Sequence, residues 1–247
     1  MLADELPTTA LGMITPSSNT VLEPMTYALL GDLEGVSAHF ARIRVTEITT
    51  NDAALAQFDN EPMLAAASLL ADAKVQAIAW NGTSASWLGF DRDAVLCRAI
   101  KQATGIPATT SVRAINAALE GLGAERIALV TPYLGAIQER IVANYSAAGF
   151  AVVAERHLDD PGNYSFAEHD EARIAALVRE AAASRPEAIA IVCTNFRGTR
   201  IAAGLEQELG IPIIDSIAAT LWHSLALAGV ASTGLEAWGG LFRLTPA

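Results

Sequence analysis

The chain has 247 residues, of which 52% are hydrophobic and 17% are charged, so its composition excludes a disordered chain and predicts a large buried core. Its 27 acidic and 16 basic residues give a net charge of −11, which argues against a nucleic-acid partner because binding to phosphates needs an excess of Lys and Arg. The first residues lack a basic segment followed by a long apolar run, and no apolar window reaches bilayer length, so we expect a cytoplasmic protein with no membrane partner.

Strand-like and helix-like segments alternate along the chain. In the first half, LGMITP, HFARIRV, QAIAWN and IPATTS are typical of strands, while EPMLAAASLLADA and DRDAVLCRAIKQATG carry helical periodicity. In the second half, RIALVTP, FAVVAERHL, AIAIVC and IPIIDS predict strands, and LGAIQERIVANYSAAG and HDEARIAALVREAAAS predict helices. Because strands that alternate with helices form parallel sheets with right-handed crossovers, the chain is predicted to be an α/β protein.

The two halves of the chain resemble each other. Three landmarks recur in the same order: Thr15-Pro16 as Thr131-Pro132, Ile78–Thr83 as Ile189–Thr194, and Gly105–Pro107 as Gly210–Pro212. This repeat predicts two pseudo-symmetric lobes, each a parallel four-stranded sheet flanked by helices. Because ligands bind beyond the carboxyl ends of parallel strands, the active site is expected in the cleft between the lobes. We expect residues 1–115 to form the first lobe, with a last strand and helix that can cross over, 116–225 the second lobe, and 226–247 a tail that packs back on both.

Polar and mostly uncharged side chains follow the predicted strands in both halves. Hydroxyls, amides and backbone N–H groups at such positions can hold a carboxylate or an enolate. Taken singly, each Ser, Thr or Asn is more typical of a helix cap or a turn, but the whole set at matching strand ends favours a site for a small carboxylate. The candidates are Ser17, Ser18, Asn19, Asn81, Gly82, Thr83, Ser84, Thr110, Ser111, Tyr133, Cys193, Thr194, Asn195, Asp215 and Ser216.

The two cysteines have different contexts. They are too few for a disulfide framework and lack metal-ligand spacing, so no metal site is expected. Cys97 lies within the helical pattern DAVLCRAI and is interpreted as a small buried apolar residue. Cys193 ends a strand and precedes Thr194-Asn195, where it can give or take a proton, and a helix N-terminus at this point would lower its pKa.

Charged residues near the expected cleft also have structural interpretations. Asp215 can act as a second base or bind a substrate ammonium, although an Asp at this position more often caps the following helix. Arg42 and Arg44 alternate with apolar residues in HFARIRV, which places both on the solvated face of a strand. The four histidines share no spacing, so each is expected in a core, capping or surface role.

Four features carry a family resemblance: TPSSNTVLEP (Thr15–Pro24), NGTSASW (Asn81–Trp87), VTPYLGAIQER (Val130–Arg140) and Cys193. In order and spacing they resemble the aspartate/glutamate racemase superfamily, and within it the branch of arylmalonate decarboxylase and maleate cis-trans isomerase. The first motif is similar to the N-terminal motif of maleate isomerases, and the second to the anion-binding loop of arylmalonate decarboxylases. The likeness covers most of the chain.

The resemblance implies a mechanism. Two-cysteine members of the superfamily carry one thiol on each wall of the cleft, and the first thiol falls at Gly82 here, so the pattern resembles arylmalonate decarboxylases. By that resemblance Thr83, Ser84, Tyr133 and the backbone N–H groups near Cys193-Thr194 hold a substrate carboxylate and then an enediolate. Cys193 then protonates one face of this intermediate, and neither a cofactor nor a metal is needed. Members are often dimers, so the resemblance also allows a homodimer.

Three hypotheses follow for the function. The first is a cofactor-independent decarboxylase of a malonate-type dicarboxylate, and the second is a racemase or cis-trans isomerase in which Cys193 works with a partner such as Asp215. The third is a non-catalytic binding protein. The polarity of Ser17, Asn19, Asn81 and Asn195, expected to bind substrate beside Gly82, leaves a polar dicarboxylate or an amino acid derivative open as the substrate.

The repeat also makes Gly82 the counterpart of Cys193. We therefore expect Gly82→Cys to restore a two-thiol site and to introduce racemase-like exchange on a suitable product.

Overall fold

The computed structural model of the chain describes residues 8–48 and 57–245. Eight strands form two parallel four-stranded sheets with the orders β2-β1-β3-β4 and β6-β5-β7-β8. The strands are β1 (Thr9–Pro16), β2 (Val36–Ile43), β3 (Ala77–Trp80), β4 (Ala108–Thr110), β5 (Arg126–Val130), β6 (Ala151–Arg156), β7 (Ala188–Ile191) and β8 (Ile213–Asp215). The predicted α/β fold of two pseudo-symmetric lobes is therefore confirmed.

The described residues form nine α-helices, of which eight lie between strands and the last follows β8. They are α1 (Leu22–Leu30), α2 (Asn60–Asp72), α3 (Ala85–Leu88), α4 (Asp91–Thr104), α5 (Ser111–Gly121), α6 (Gly135–Ala147), α7 (Glu171–Ala182), α8 (Thr199–Leu209) and α9 (Ser216–Leu227). The helices α4 and α8 end at Gly105 (φ 75°) and Gly210 (φ 67°), where only glycine takes a left-handed conformation without strain. None of the helices in these ranges is long and apolar enough to cross a membrane.

Strand register in the two sheets supports the internal repeat. Ile14 pairs with Trp80 in the first sheet, and Val130 pairs with Ile191 in the second. Trp80 in turn pairs with Thr110, just as Ile191 pairs with Asp215. The residues that follow the two central strands β3 and β7 are thus structural counterparts, which makes Gly82 equivalent to Cys193.

The two central strands are apolar over their whole length. AIAW in β3 and AIAI in β7 are completely buried, as expected for strands that are covered by helices on both faces. Arg42 and Arg44 are exposed while Ile43 and Val45 are buried, which confirms the alternation predicted for HFARIRV. The strand itself begins earlier than this run, at Val36.

The last helix joins the lobes. The helix α9 packs against α5 and against β3 and β4 of the first sheet as well as β8 of its own sheet. Trp238, beyond α9, donates its indole N–H to Asp32 of the first lobe at 2.7 Å. The division at residues 115 and 225 stays a prediction, and residues 1–7, 49–56, 246 and 247 of the proposed units lie outside the described ranges.

Candidate active site

A small cavity lies where the carboxyl ends of the two sheets face each other. Its volume is about 20 Å³, room for about one water molecule. Its hydrogen-bonding lining comprises Asn19, Thr83, Ser84, Tyr133, Asn163, Cys193, Thr194 and Asn195, and its apolar lining comprises Pro16, Val45, Ile48, Phe58, Trp80, Gly82 and Trp87. Both lobes contribute residues, so the cavity lies in the cleft where the sequence places the site.

The indole ring of Trp80 fills the space next to Gly82 in the wall of this cavity. A Cβ atom added to Gly82 would lie 2.2 Å from Cζ2 and 2.3 Å from Cε2 of Trp80. Trp80 is the last residue of β3 and is 1% exposed, so its ring is held by the core. The expectation that Gly82→Cys alone restores a second thiol therefore needs correction, because the Trp80 ring lies where the new side chain would begin.

Thr83 and Tyr133 join the two lobes at the cavity. Their hydroxyl groups share a hydrogen bond of 2.6 Å, and both side chains are buried. Burial raises the pKa of Tyr133 well above its ordinary value, with the neighbouring Cys193 as a second cause, so the phenol keeps its proton at neutral pH.

Free hydrogen-bond donors lie beside this pair. The Ser84 hydroxyl makes no hydrogen bond to another described residue. The backbone N–H groups of Thr83, Ser84 and Thr194 likewise donate to no acceptor in the described part of the chain. N–H groups and hydroxyls that face a cavity without acceptors are suited to hold a carboxylate or enediolate oxygen.

Cys193 places a thiol on the side of the cavity opposite Gly82. Burial raises the pKa of its thiol from 9.0 to about 12, although contacts with the Tyr133 hydroxyl and the Asn195 backbone N–H lower it. The helix α8 begins only at Thr199, so Cys193 does not lie at a helix N-terminus, and the expectation of a lowered pKa is wrong. The thiol is protonated at neutral pH and can act as a proton donor.

Hydrogen bonds through the Ser216 hydroxyl fix the backbone of Cys193. Its N–H donates to Ser216 Oγ at 3.0 Å, and Ser216 Oγ donates to the Ile191 carbonyl at 2.6 Å. The N–H of Cys193 is therefore not available to a substrate, in contrast to the N–H of Thr194.

Asn19, Thr194 and Asn195 line the cavity and also hold the lobes together. Asn19 Nδ2 donates to Thr194 Oγ1 at 3.1 Å, and Thr194 Oγ1 donates to the Asn81 carbonyl at 2.9 Å. Asn195 Oδ1 accepts the N–H of Thr20 at 3.0 Å. These bonds fix the positions of the three side chains, so their polar groups reach the cavity in defined orientations.

Two further sequence candidates lie outside the cavity lining. Ser17 Oγ accepts the Val45 N–H at 3.2 Å, and the Asn81 amide donates to the carbonyls of Ile14 and Ala79, each at 3.2 Å. Both side chains therefore brace the loops that follow their strands, and direct contact with a substrate stays a prediction for each.

Asn163 is a cavity residue that the sequence interpretation missed. Its amide donates to Ser18 Oγ at 2.8 Å, and its carbonyl accepts from Asn195 Nδ2 at 2.7 Å. It follows Asp159-Asp160-Pro161-Gly162, which is typical of a surface turn, and so its position between the lobes depends on tertiary contacts. The apolar residues Val45, Ile48 and Phe58 were missed for the same reason.

Asp215 is a helix cap and does not line the cavity. Its carboxylate accepts the N–H groups of Ile217 and Ala218 and the Thr199 hydroxyl, the last at 2.7 Å. Burial raises its pKa from 3.8 to about 6. The capping interpretation is confirmed, and Thr110 caps α5 in the same way by accepting the Arg113 N–H.

Cys97 and the described histidines lie outside the cavity lining. Cys97 is buried on α4, and burial raises its pKa to about 12, as expected for an unreactive core thiol. His223 bonds to Thr109 and His169 to Asp160, and no described histidine lines the cavity. The cavity thus offers many hydrogen-bond donors and one protonated thiol.

Comparison with known proteins agrees with this geometry. Residues 11–242 match the family model described as Arylmalonate decarboxylase. The chain is 28% identical to a maleate isomerase of Pseudomonas putida (strain KT2440) over 229 residues, which cover 87% of this chain and 90% of that protein. It is 30% identical to the arylmalonate decarboxylase of Bordetella bronchiseptica over 164 residues, which cover 65% of this chain and 68% of that protein.

A solved structure has the same fold. The maleate cis-trans isomerase of Nocardia farcinica, as a cysteine-to-serine variant with a covalently bound succinylcysteine intermediate, superposes with a TM-score of 0.86 at 24% identity. The superposition covers 95% of this chain and 98% of that chain.

Proposed function

Because this chain belongs to the arylmalonate decarboxylase family, whose relatives include decarboxylases and isomerases that act on small carboxylates, we propose that it is a cofactor-independent decarboxylase of a malonate-type dicarboxylate. The proposed product is a monocarboxylate that has received one proton at its α-carbon.

One observation carries this proposal. The two counterpart positions hold a protonated thiol at Cys193 and a glycine covered by the Trp80 ring at Gly82. A cleft with an acid on one wall can protonate a planar carbanion from one face, and on the Gly82 side the described residues that line the cavity offer no second acid or base for two-sided proton transfer. Asp215 does not supply this second group in the proposed reaction, because it ends the strand next to β7, on the same side as Cys193, and does not line the cavity.

The proposed reaction has two steps. The retained carboxylate is held by Thr83, Ser84 and Tyr133, and the departing carboxylate faces the apolar side of the cavity near Val45 and Phe58. The bond between the α-carbon and the departing carboxylate breaks, carbon dioxide leaves, and the electron pair delocalises into the retained carboxylate as an enediolate. Free N–H groups and hydroxyls stabilise this charge more strongly than that of the substrate.

The second step is protonation. The Cys193 thiol gives its proton to the α-carbon, which restores the carboxylate, and water returns a proton to the thiolate. Delivery from one wall gives a single enantiomer when the α-carbon carries two different substituents. A dicarboxylate is larger than the cavity of about 20 Å³, so the lining side chains must move apart when it binds.

Cis-trans isomerisation is the second candidate. It is favoured by the polar lining from Asn19, Asn163 and Asn195, which suits a small dicarboxylate such as maleate better than an aryl group. In the Nocardia farcinica isomerase a succinylcysteine forms, which corresponds to a thiol adding to the double bond. By the resemblance, the thiol that makes this addition falls at Gly82, which has no side chain here, and the raised pKa of Cys193 disfavours the thiolate that the addition would need from the remaining cavity thiol.

Incubation in D₂O separates the two candidates. The protein is given malonate, methylmalonate, phenylmalonate and maleate in separate reactions, and carbon dioxide, fumarate and α-deuterated monocarboxylate are measured. Decarboxylation predicts carbon dioxide and one deuterium per product from at least one malonate, with no fumarate from maleate. Fumarate without carbon dioxide from any malonate would replace the proposal with the isomerase. Cys193→Ala serves as the control for non-enzymatic reaction.

A further inference from the structure

Trp87 contributes an unusual group to the cavity wall. It belongs to the short helix α3, which directly follows Thr83-Ser84, and its backbone N–H donates to the Ser84 carbonyl at 3.2 Å. Its side chain is 5% exposed and lines the same cavity as Thr83, Tyr133 and Cys193. The helix thus fixes Trp87 next to the donors that are proposed to hold the substrate.

The indole N–H of Trp87 has no hydrogen-bond partner within the described residues, although it is fully buried. Two other tryptophans show the usual arrangement: Trp222 donates to the Leu244 carbonyl at 3.0 Å and Trp238 to Asp32 at 2.7 Å. A buried donor without an acceptor destabilises a protein, so such groups are rare in folded proteins. This destabilisation at Trp87 is consistent with a hydrogen-bond acceptor that is supplied by the bound ligand.

Aromatic neighbours hold the ring of Trp87 in place. Its centroid lies 5.2 Å from that of Tyr133, at an interplanar angle of 59°, and 6.1 Å from that of Phe58, at 83°. Tyr133 is itself fixed by its hydrogen bond to Thr83. The indole is therefore preorganised, and hydrogen bonding through it needs little further ordering of the side chain.

The chemistry of the indole selects the type of ligand group. An indole N–H donates one hydrogen bond and accepts none, and a carboxylate accepts several and donates none. Hydrogen bonds to an ionised acceptor are also stronger than those to a neutral one. A carboxylate oxygen is the acceptor that matches both this donor and the neighbouring hydroxyls.

We propose that the Trp87 indole N–H donates a hydrogen bond to a carboxylate oxygen of the bound ligand, and so helps to select ionised carboxylates. This inference rests on the proposed function only in that the ligand is a small carboxylate bound in this cavity. It assigns no proton transfer to Trp87, because the N–H bond is retained.

The test uses two carboxylates that the proposed reactions leave unchanged, succinate and phenylacetate. The chain contains four tryptophans, so protein labelled with ¹⁵N at the indoles gives four N–H signals. Trp80→Phe, Trp222→Phe and Trp238→Phe assign three signals, and the fourth is then that of Trp87 whether or not Trp87→Phe folds. Titration with each probe should move the Trp87 N–H proton downfield and leave the Trp222 and Trp238 signals unchanged.

Trp87→Phe provides the second measurement. This variant keeps an aromatic ring and removes the N–H, so the Kd of the bound probe should rise about tenfold, the usual loss for a hydrogen bond to a charged group. Trp222→Phe is the matched control: it removes a hydrogen-bonded indole N–H far from the cavity, and should lower Tm without changing the Kd.

The outcomes separate this inference from the proposed function. If a probe saturates the protein while the Trp87 signal stays in place, or if Trp87→Phe binds it as tightly as the unmodified chain, the inference is wrong although carboxylate binding stands. If calorimetry detects no binding of either probe at tens of millimolar, both the proposed function and the inference are contradicted.

Discussion

The residues after β3 and those after β7 occupy equivalent places in the two lobes and have different chemistry. After β7, Cys193 presents a protonated thiol, whereas after β3, Gly82 presents no side chain and the Trp80 ring fills the adjacent space. The backbone bonding is alike, since the N–H groups of Asn81 and Val192 donate to the carbonyls of Ile14 and Val130 at the same distance of 2.9 Å. In the proposed reaction, this repeated backbone gives the two walls separate tasks, one for holding charge and one for giving a proton.

Removing the Cys193 thiol should have the largest effect, because this thiol is the main chemical difference between the two strand ends. Cys193→Ala leaves neither wall with an acid, and loss of a positioned general acid lowers kcat by about 10²–10⁴-fold. Cys97→Ala is the matched control because Cys97 is also a buried thiol with a raised pKa but lies on α4. Measured rates of carbon dioxide release should fall only for the first variant. Equal rates in both variants would mean that Cys193 is not the proton donor.

Tyr133 lies between the two walls, because its hydroxyl bonds to Thr83 and contacts Cys193. Tyr133→Phe should reduce kcat by about 10²–10³-fold, the usual loss when one donor to a developing oxyanion is removed. Tyr145→Phe is the control, since the Tyr145 hydroxyl is buried without a partner in the described residues and lies away from the cavity. A Tyr133→Phe enzyme as active as Tyr145→Phe would exclude this hydroxyl from the anion site.

The two lobes use different residue types to cap equivalent helices. In the first lobe Thr110 caps α5 and Asp93 of α4 accepts its hydroxyl, while in the second lobe Asp215 caps α9 and accepts the hydroxyl of Thr199. Among the described residues, each lobe therefore buries one aspartate carboxyl group in this way. Burial raises the pKa of Asp93 from 3.8 to about 7 and that of Asp215 from 3.8 to about 6.

These shifts predict how stability depends on pH. The unfolded chain loses the proton of Asp93 near pH 4 while the folded chain keeps it to about pH 7, so the free energy of unfolding falls as pH rises between these values. Asp93→Asn should remove this loss and gain roughly 4 kcal/mol relative to the unmodified chain on going from pH 3.5 to pH 8. Asp215→Asn should gain less, with its change complete by about pH 6. Urea denaturation across this range measures both, and parallel curves for all three proteins would contradict the burial argument.

Adding a thiol at Gly82 should have the smallest effect on stability, and it should add exchange of the product's α-hydrogen to the reactions of the protein. Gly82→Cys must displace the Trp80 ring, and such overpacking destabilises a protein by about 1–3 kcal/mol. In the double variant Trp80→Leu/Gly82→Cys the ring is gone, so the new thiol has room and should introduce exchange of the product's α-hydrogen with D₂O. Trp80→Leu alone is the control and should show no exchange. Binding of product by the double variant without exchange would argue against the pairing of Gly82 with Cys193.

Much of the fold was predictable because its signals are local or repeated. The runs AIAW and AIAIVC, and the helix end at Gly105, depend on neighbours within a few residues. The pairing of Gly82 with Cys193 followed from the repeat and agrees with the strand registers. The candidate site could be outlined for the same reason, since parallel strands bring their carboxyl ends to one edge.

Only the tertiary structure decided what these residues can do. The contact of Trp80 with Gly82 depends on how the core holds the indole ring. The raised pKa of Cys193 and the unpartnered indole N–H of Trp87 depend on how completely the two lobes exclude water from the cavity between them. Asn163 reaches this cavity from a turn that looks exposed in sequence. The sequence by itself determined the strands, four of the helices and the strand-end residues because these follow from short-range patterns. Burial and long-range contacts set proton affinities and available space, and they form only when the chain is folded.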